Sequence, residues 1–507
     1  MKNKAIILII LISLLLNTLS AQEKTHKLTI NLSVSKKTEN SFLPDGRLFI
    51  FLNKNPYAEP MTQTWPNPGN FIFARNFKGF HPDKILRIDN YDGWVKTPDW
   101  TLDNIPEGEY YVQVLWDQDT RESNIDAPGN VYSEKQKIEL NRSLSLDLVL
   151  DRIIEPREII KHSLVREITL QSDTLTRWWG KPVYLKASVL LPGDYGKEPG
   201  QAYPICYNIA GYGGRYTRIN NIVSRKSTME WWQSEEAPGI IYVFLDGEGP
   251  FGDSYQMDSD NSGPYGYSLI NELIPYIESN FRGTDSPETR FLDGCSTGGW
   301  VSLALQLFYP DFFNGAFSYS PDPVDFDHFL LINIYRDKNA YINEHGYLRP
   351  IMRDVTGEPI MSLKDFIQYE NVLGSSDTYL NSGGQFSAHT ALYGPAGDSG
   401  LPQPLFDPVT GEIDRDVAEH WKKYDLKKYA EQNWSWLGPK LQGKIFIWMG
   451  DMDNFYLNPA TRSLGNFLRN SKNPVSDAEI IFTPMQGHCT QYSFIEVISK
   501  IGEKLNR

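Results

Sequence analysis

Ten residues constrain this chain more than any others. Phe291-Leu-Asp-Gly-Cys-Ser-Thr-Gly-Gly-Trp300 runs from a short apolar strand into a helix. Its centre, Gly294-Cys295-Ser296-Thr297-Gly298, is a Gly-x-Ser-x-Gly pattern in the strand-turn-helix context that such a pattern needs. The serine then sits on a turn so tight that side chains at the flanking glycines would collide with nearby backbone. The turn lifts Ser296 Oγ out at the top of a sheet. It also aims the Thr297 N–H, at the positive end of the helix, at the place where an oxyanion would form. Ser296 is therefore the candidate nucleophile and Thr297 a candidate oxyanion donor.

A serine nucleophile needs a base, and the base needs an orienting carboxylate. On a sheet of this kind the chain order is serine, acid, histidine. Ile445-Phe-Ile-Trp-Met-Gly-Asp-Met-Asp-Asn454 reads as a strand followed by acids, and Met485-Gln-Gly-His-Cys489 follows the last strand. His488 is the candidate base. Asp453, three residues after Gly450, has the loop length to turn back to it; Asp451, nearer the strand end, is the alternative. A second oxyanion donor is expected in Tyr203-Pro-Ile-Cys-Tyr-Asn-Ile-Ala-Gly-Tyr-Gly-Gly214, at the Tyr212 N–H, with Gly211 and Gly213 next. No Lys-Ser/Thr follows these glycines, so they do not read as a phosphate loop.

The surrounding sequence supplies the sheet. Apolar strands are expected at 183–191, 203–209, 240–245, 291–293, 315–320, 444–449 and 479–482. Helical stripes lie between them at 267–281 and 300–309. Short buried strands alternating with helices predict a mostly parallel α/β sheet over 160–507. Residues 324–440 interrupt that rhythm. They are turn-rich and hold four of the eight histidines, His328, His345, His389 and His420. An insertion at the end of a strand in such a sheet sits over the ligand crevice, so this one reads as a lid or cap. Ahead of the sheet, residues 22–155 show period-two alternation, as in Leu28-Thr-Ile-Asn-Leu-Ser-Val34, broken by Pro/Gly turns. That predicts a small all-β, sandwich-like domain.

The first 21 residues read differently. Lys2 and Lys4 precede an apolar run over 5–16, and Leu19-Ser-Ala21 ends in small residues. This is the layout of a signal peptide cut after Ala21, and it predicts a secreted or periplasmic protein with no membrane span after removal. With 49 basic and 63 acidic residues the formal net charge is −14, which argues against a nucleic-acid partner. The three cysteines form no Cys-x-x-Cys, and no zinc pattern is present. No metal or cofactor is expected. Asp258, Asp260 and Asn261 read as loop-shaping residues rather than an ion site, and Cys206 as an inert thiol inside a strand.

Several stretches together resemble the putative esterase family of α/β hydrolases, which holds esterase D, feruloyl and acetyl-xylan esterases and siderophore esterases. They are the 203–214 segment, Asp258-Ser-Asp-Asn-Ser-Gly-Pro-Tyr265, Glu272-Leu-Ile-Pro-Tyr-Ile-Glu278 and Tyr309-Pro-Asp-Phe-Phe-Asn-Gly-Ala-Phe-Ser-Tyr-Ser320. The resemblance covers about 178–324 and 441–500 and implies an α/β-hydrolase fold and serine hydrolysis. The family carries His-Gly where this chain has Ala210-Gly211, so the oxyanion loop departs from the pattern. The order Cys295-Ser296 … Asp453 … His488-Cys489 also resembles the tannase and feruloyl esterase group. That resemblance implies a Cys295–Cys489 disulfide.

The combined expectation is a secreted serine carboxylic ester hydrolase acting on small-molecule or polysaccharide-linked acyl or phenolic esters. Two alternatives stand beside it. A peptidase or acyltransferase would use the same triad, although the β region is too short for the propeller of prolyl peptidases. A carbohydrate-binding protein with an inactive hydrolase domain would use aromatics such as Trp65, Trp94 or Trp100.

Overall fold

The computed structural model describes residues 24–90, 93–98 and 100–506. The predicted signal peptide lies outside the described residues. The chain forms two compact units. One runs to Gln118 and resumes over Gly129–Ile154; the other comprises Asp119–Pro128 and Glu155–Arg507. The sequence reading put the whole of 22–155 in one domain. Segment 119–128 goes to the second unit because its charges bind there: Arg157 donates to both Glu122 carboxylate oxygens and to Asp126, and Arg215 donates to Glu122.

The first unit is all-β, as predicted. Hydrogen bonds join nine strands into one sheet. Strand Gly108–Asp117 is long enough to pair with Gln136–Leu140 and Val131–Ser133 along one edge and with Gly46–Asn53 on the other. Leu28–Val34 pairs in parallel with Leu144–Ile153, a register that period-two alternation cannot announce. Trp94 and Trp100 pack against its apolar core, and Trp100 stacks on Phe71 at 3.4 Å between ring centroids. Both rings are half-buried, with one part packed on this core.

The second unit is built on eight strands, named here β1 (Val165–Gln171), β2 (Tyr184–Leu190), β3 (Ile205–Ile209), β4 (Ile241–Leu245), β5 (Arg290–Cys295), β6 (Ala316–Tyr319), β7 (Ile445–Gly450) and β8 (Glu479–Thr483). Their order across the sheet is 1-2-4-3-5-6-7-8. β2 runs antiparallel to β1 and β4, and every later pairing is parallel. That order and those directions make the α/β-hydrolase fold. β3 and β4 are buried at every position, as a sheet covered on both faces requires. Seven of the strands were legible as apolar runs. β1 was not, because as an edge strand it keeps Arg166, Glu167 and Gln171 exposed.

β5 turns at Ser296 into helix α1 (Thr297–Phe308), whose side chains are buried from Thr297 to Leu307. The turn is possible only with glycine on both sides. A Cβ on Gly294 would stand 2.5 Å from the Gly298 carbonyl carbon, and one on Gly298 would stand 2.1 Å from the Ile209 carbonyl oxygen of β3. The insertion leaves after β6. It holds the paired strands Pro350–Arg353 and Pro359–Ser362 and several helices, among them α2 (Gln385–Tyr393). Phe329, Phe386, Tyr393 and Trp421 of the insertion share one apolar core with the sheet, so it is packed in as part of the unit.

This close approach carries a testable cost. Gly298→Ala forces α1 off β3, and the expected loss is on the order of 1–3 kcal/mol of stability. Urea unfolding of the purified variant checks it, and an unchanged midpoint would show that the approach is not tight.

Candidate active site

The end of β5 places Ser296 in a conformation that few side chains adopt, with φ +61° and ψ −125°. Such a backbone costs on the order of 1–3 kcal/mol and persists only where the surroundings enforce it. Here the Ser296 N–H donates to the Tyr319 carbonyl of β6 at 3.0 Å, and its own carbonyl accepts from Trp300 in α1. Thr297 is the first residue of α1, so its N–H belongs to the first turn, which has no intrahelical acceptors. The loop after β3 lies against the turn that carries Ser296. A Cβ on Gly211 would meet Ser296 Cβ at 3.6 Å and the Cys295 carbonyl oxygen at 3.4 Å. The neighbouring Tyr212 donates its phenol hydrogen to the Gly383 carbonyl of the insertion.

β7 delivers the acids. Asp453 is fully buried, and its Oδ2 lies 2.7 Å from His488 Nδ1. Its Oδ1 accepts from the N–H groups of Phe455 at 2.9 Å and Leu457 at 3.3 Å. The carboxylate is thus held from one side and offered to the imidazole on the other. Asp451 instead faces outward and pairs with Arg462. The distance along the chain explains the difference: the residue next to the strand end still follows the strand, whereas two residues later the loop has turned inward.

The loop after β8 carries His488. Asn454 Oδ1 accepts from the His488 N–H at 2.9 Å, and the Phe455 ring stands edge-on to the imidazole at 4.9 Å. Cys295 and Cys489 are joined in a disulfide with Cα atoms 6.1 Å apart, so the residue before Ser296 is bonded to the residue after His488. Tyr492 extends the anchorage. Its hydroxyl donates to Asp293 Oδ2 at 2.7 Å, three residues before Ser296. Cys206 is a buried free thiol that donates to Asp293 Oδ1, and burial pushes it well above the usual thiol range.

Ser296 Oγ donates to Asp322 Oδ1 at 3.5 Å and, among the described residues, makes no hydrogen bond to His488. Unliganded sites often hold catalytic hydrogen bonds loosely. Asp322 was not foreseen. It lies just beyond β6 in Ser320-Pro-Asp-Pro323, a turn with no catalytic signature. Its Oδ2 accepts from Tyr255 at 2.7 Å, Thr297 Oγ1 at 3.0 Å and Gln385 at 3.3 Å, with His389 Nε2 at 3.4 Å. Gln385 and His389 come from α2, so the insertion completes the surroundings of Asp322 and Ser296. Of the four histidines it contributes, only His389 reaches this place. His328 pairs with Asp325 and His420 with Asp260.

Two charges decide the electrostatics. Burial works against the His488 cation, but the Asp453 carboxylate, by charge and hydrogen bond, outweighs it with help from Asp322, and the ring is raised above the ordinary 6.5. Burial also opposes the Asp322 anion. The hydrogen bond and charge of His389, with those from Tyr255 and Thr297, nevertheless hold its carboxyl below the usual range. Among the described residues no group of three or more His, Cys, Asp or Glu is arranged to hold a metal. Asp258 accepts from the Tyr267 N–H, and the Asn261 amide donates to the Ala391 and Gly394 carbonyls, so both tie loop backbone.

The family described as Putative esterase matches residues 184–473, more than half of the chain. That span holds Ser296 and Asp453 and ends before His488. The chain is also similar to three solved structures. A ferulic acid esterase shares 16% identity, covering 67% of this chain and 97% of its own, with a TM-score of 0.43. An S-formylglutathione hydrolase from Agrobacterium tumefaciens shares 14%, covering 68% and 95%, at 0.37. The fluorophosphonate-binding serine hydrolase F of Staphylococcus aureus shares 14%, covering 68% and 98%, at 0.39.

The raised His488 is measurable without any substrate. Because the ring carries its proton below its own pKa, its resonance titrates with a midpoint above 6.5 in the intact protein. In Asp453→Asn the charge that favours the cation is gone, and the midpoint falls. A wild-type midpoint below 6.5 would contradict the pairing.

Proposed function

On the premise that the chain belongs to the putative esterase family, and is a serine esterase of the α/β-hydrolase fold, we propose that Ser296, His488 and Asp453 are its catalytic triad. The observation that carries this reading is the 2.7 Å contact of His488 with buried Asp453, on a loop bonded through Cys489–Cys295 to the nucleophile turn.

The chemistry follows from the positions. His488 Nε2 takes the proton from Ser296 Oγ as the oxygen attacks the ester carbon. Asp453 holds the imidazole by its Nδ1 and favours the cation that forms. The Thr297 N–H, with the Tyr212 N–H of the loop beside Ser296, receives the oxyanion. His488 then returns the proton to the leaving alcohol, and water releases the acid by the same steps in reverse roles. The Ser296 backbone, fixed by β6 and α1, needs no rearrangement to present Oγ, which lowers the cost of reaching the attack geometry.

The substrates we propose are acyl or phenolic esters, including those borne on polysaccharide, outside the cytoplasm. Support for the compartment comes from the disulfide, which persists in oxidising surroundings, and from the leader-like residues 1–21. The acyl preference rests on fold analogy, which names the bond rather than the group.

A panel of chromogenic esters with short, long and feruloyl acyl groups tests the reading. Wild type is expected to turn over at least one, and Ser296→Ala to lose activity by about 10³-fold or more. Asp453→Asn is expected to cost about 10⁴-fold in kcat, through the wrong imidazole tautomer. Turnover that survives Ser296→Ala would overturn the triad. Absence of ester turnover alongside cleavage of peptide substrates would move the protein to the peptidase reading.

A further inference from the structure

The two oxygens of the Asp322 carboxylate are unequally satisfied. Its Oδ2 has donors from Tyr255, Thr297 and Gln385, together with the close His389 ring. Its Oδ1 has a single donor among the described residues, Ser296 Oγ at 3.5 Å. The residue is 5% exposed, so an unpaired oxygen on it is costly.

Acylation removes that donor. Once Ser296 Oγ carries an acyl carbon in place of hydrogen, Oδ1 faces the acyl-enzyme with no donor among the described residues. The most available replacement is the species the next step requires, a water molecule. His488 must activate that water, and the Asp322 charge is among those that favour the His488 cation.

Resting on the triad proposed above, we propose that Asp322 is a catalytic residue of deacylation, accepting a hydrogen bond through Oδ1 from the hydrolytic water. The water donates one hydrogen to His488 Nε2 and the other to Oδ1, which aims an oxygen lone pair at the acyl carbon. As the new C–O bond forms, the first proton passes to Nε2 and the carbonyl electrons become the oxyanion. Collapse of this intermediate breaks the Ser296 Oγ–carbon bond, and Oγ takes the proton back from His488. Asp322 accepts a hydrogen bond throughout and takes no proton, so the carboxylic acid product carries both the water oxygen and the second hydrogen. The insertion enters the reaction here, because Gln385 and His389 of α2 hold Asp322 Oδ2 and thereby set where Oδ1 points.

The variant Asp322→Asn separates the two half-reactions. The donors around Oδ2 will select the amide oxygen for that side, which turns the NH₂ group toward Ser296. An acceptor for water thus becomes a donor. With p-nitrophenyl acetate in stopped flow, the expected result is a burst of nitrophenol followed by a steady state slowed about 10- to 100-fold more than the burst, the range of one hydrogen bond to a charged group. Intact-mass measurement should show accumulated acetyl-enzyme, and peptide mapping should place it on Ser296. Hydroxylamine, a stronger nucleophile than water, should restore turnover. Asp322→Ala, which removes the carboxylate without adding a donor, is read the same way if the Asn variant does not fold.

Wild-type behaviour of the variant would overturn the proposal. So would a parallel slowing of burst and steady state, the mark of a structural or purely electrostatic role. In both cases the triad stands if the acetyl group maps to Ser296. An acetyl group mapped to another residue overturns the triad and this proposal together.

Discussion

The approach of α1 to β3 is the constraint on which the rest of the site depends. Gly298 lies so close to the Ile209 carbonyl that no side chain fits between them. That contact bends the chain sharply enough to hold Ser296 at φ +61° and to start α1 one residue later. The strain is carried by the large buried surfaces of β5 and α1 rather than by the turn itself. Every other functional element is fixed with respect to this point. The glycine loop after β3 rests against Ser296, and the disulfide ties the His488 loop to Cys295. Tyr492 and Asp293 join the same two segments a second time from below.

The electrostatic arrangement is built on two buried carboxylates reached from adjacent strands. Asp453 follows β7 and touches His488; Asp322 follows β6 and touches Ser296. A buried anion is tolerated only when its oxygens are hydrogen-bonded. Asp453 meets that demand with backbone N–H groups of its own loop. Asp322 meets it with side chains brought from elsewhere, including two from the insertion. The insertion therefore does more than pack on the sheet: it sets the state of a charge beside Ser296. Its apolar residues are continuous with the core, which gives α2 a fixed place from which to do so.

The sequence made the local features legible and left the convergent ones hidden. Gly294, Ser296 and Gly298 could be read because a tight turn demands particular residues at fixed spacing. The contact of His488 with Asp453 could be expected because chain order after given strands is a property of the fold. Asp451 and Asp453 could be ranked only by loop length, and the structure turns the first to Arg462 and the second to His488. Asp322, Gln385, His389 and Tyr255 meet across more than a hundred residues of chain, and no spacing announces such a meeting. β1 was hidden because Arg166, Glu167, Thr169 and Gln171 interrupt its apolar residues. Segment 119–128 was hidden because its allegiance is set by ion pairs with Arg157 and Arg215, not by its own pattern.

The most direct test of the central claim is covalent trapping. The intact protein is treated with a fluorophosphonate, which modifies a serine only where a base and oxyanion donors activate it, and the adduct is located by peptide mass mapping. The account predicts a single adduct on Ser296, loss of ester hydrolysis in proportion to labelling, and no labelling in Asp453→Asn on the same timescale. An adduct on any other residue, or full ester hydrolysis with Ser296 labelled, would contradict it.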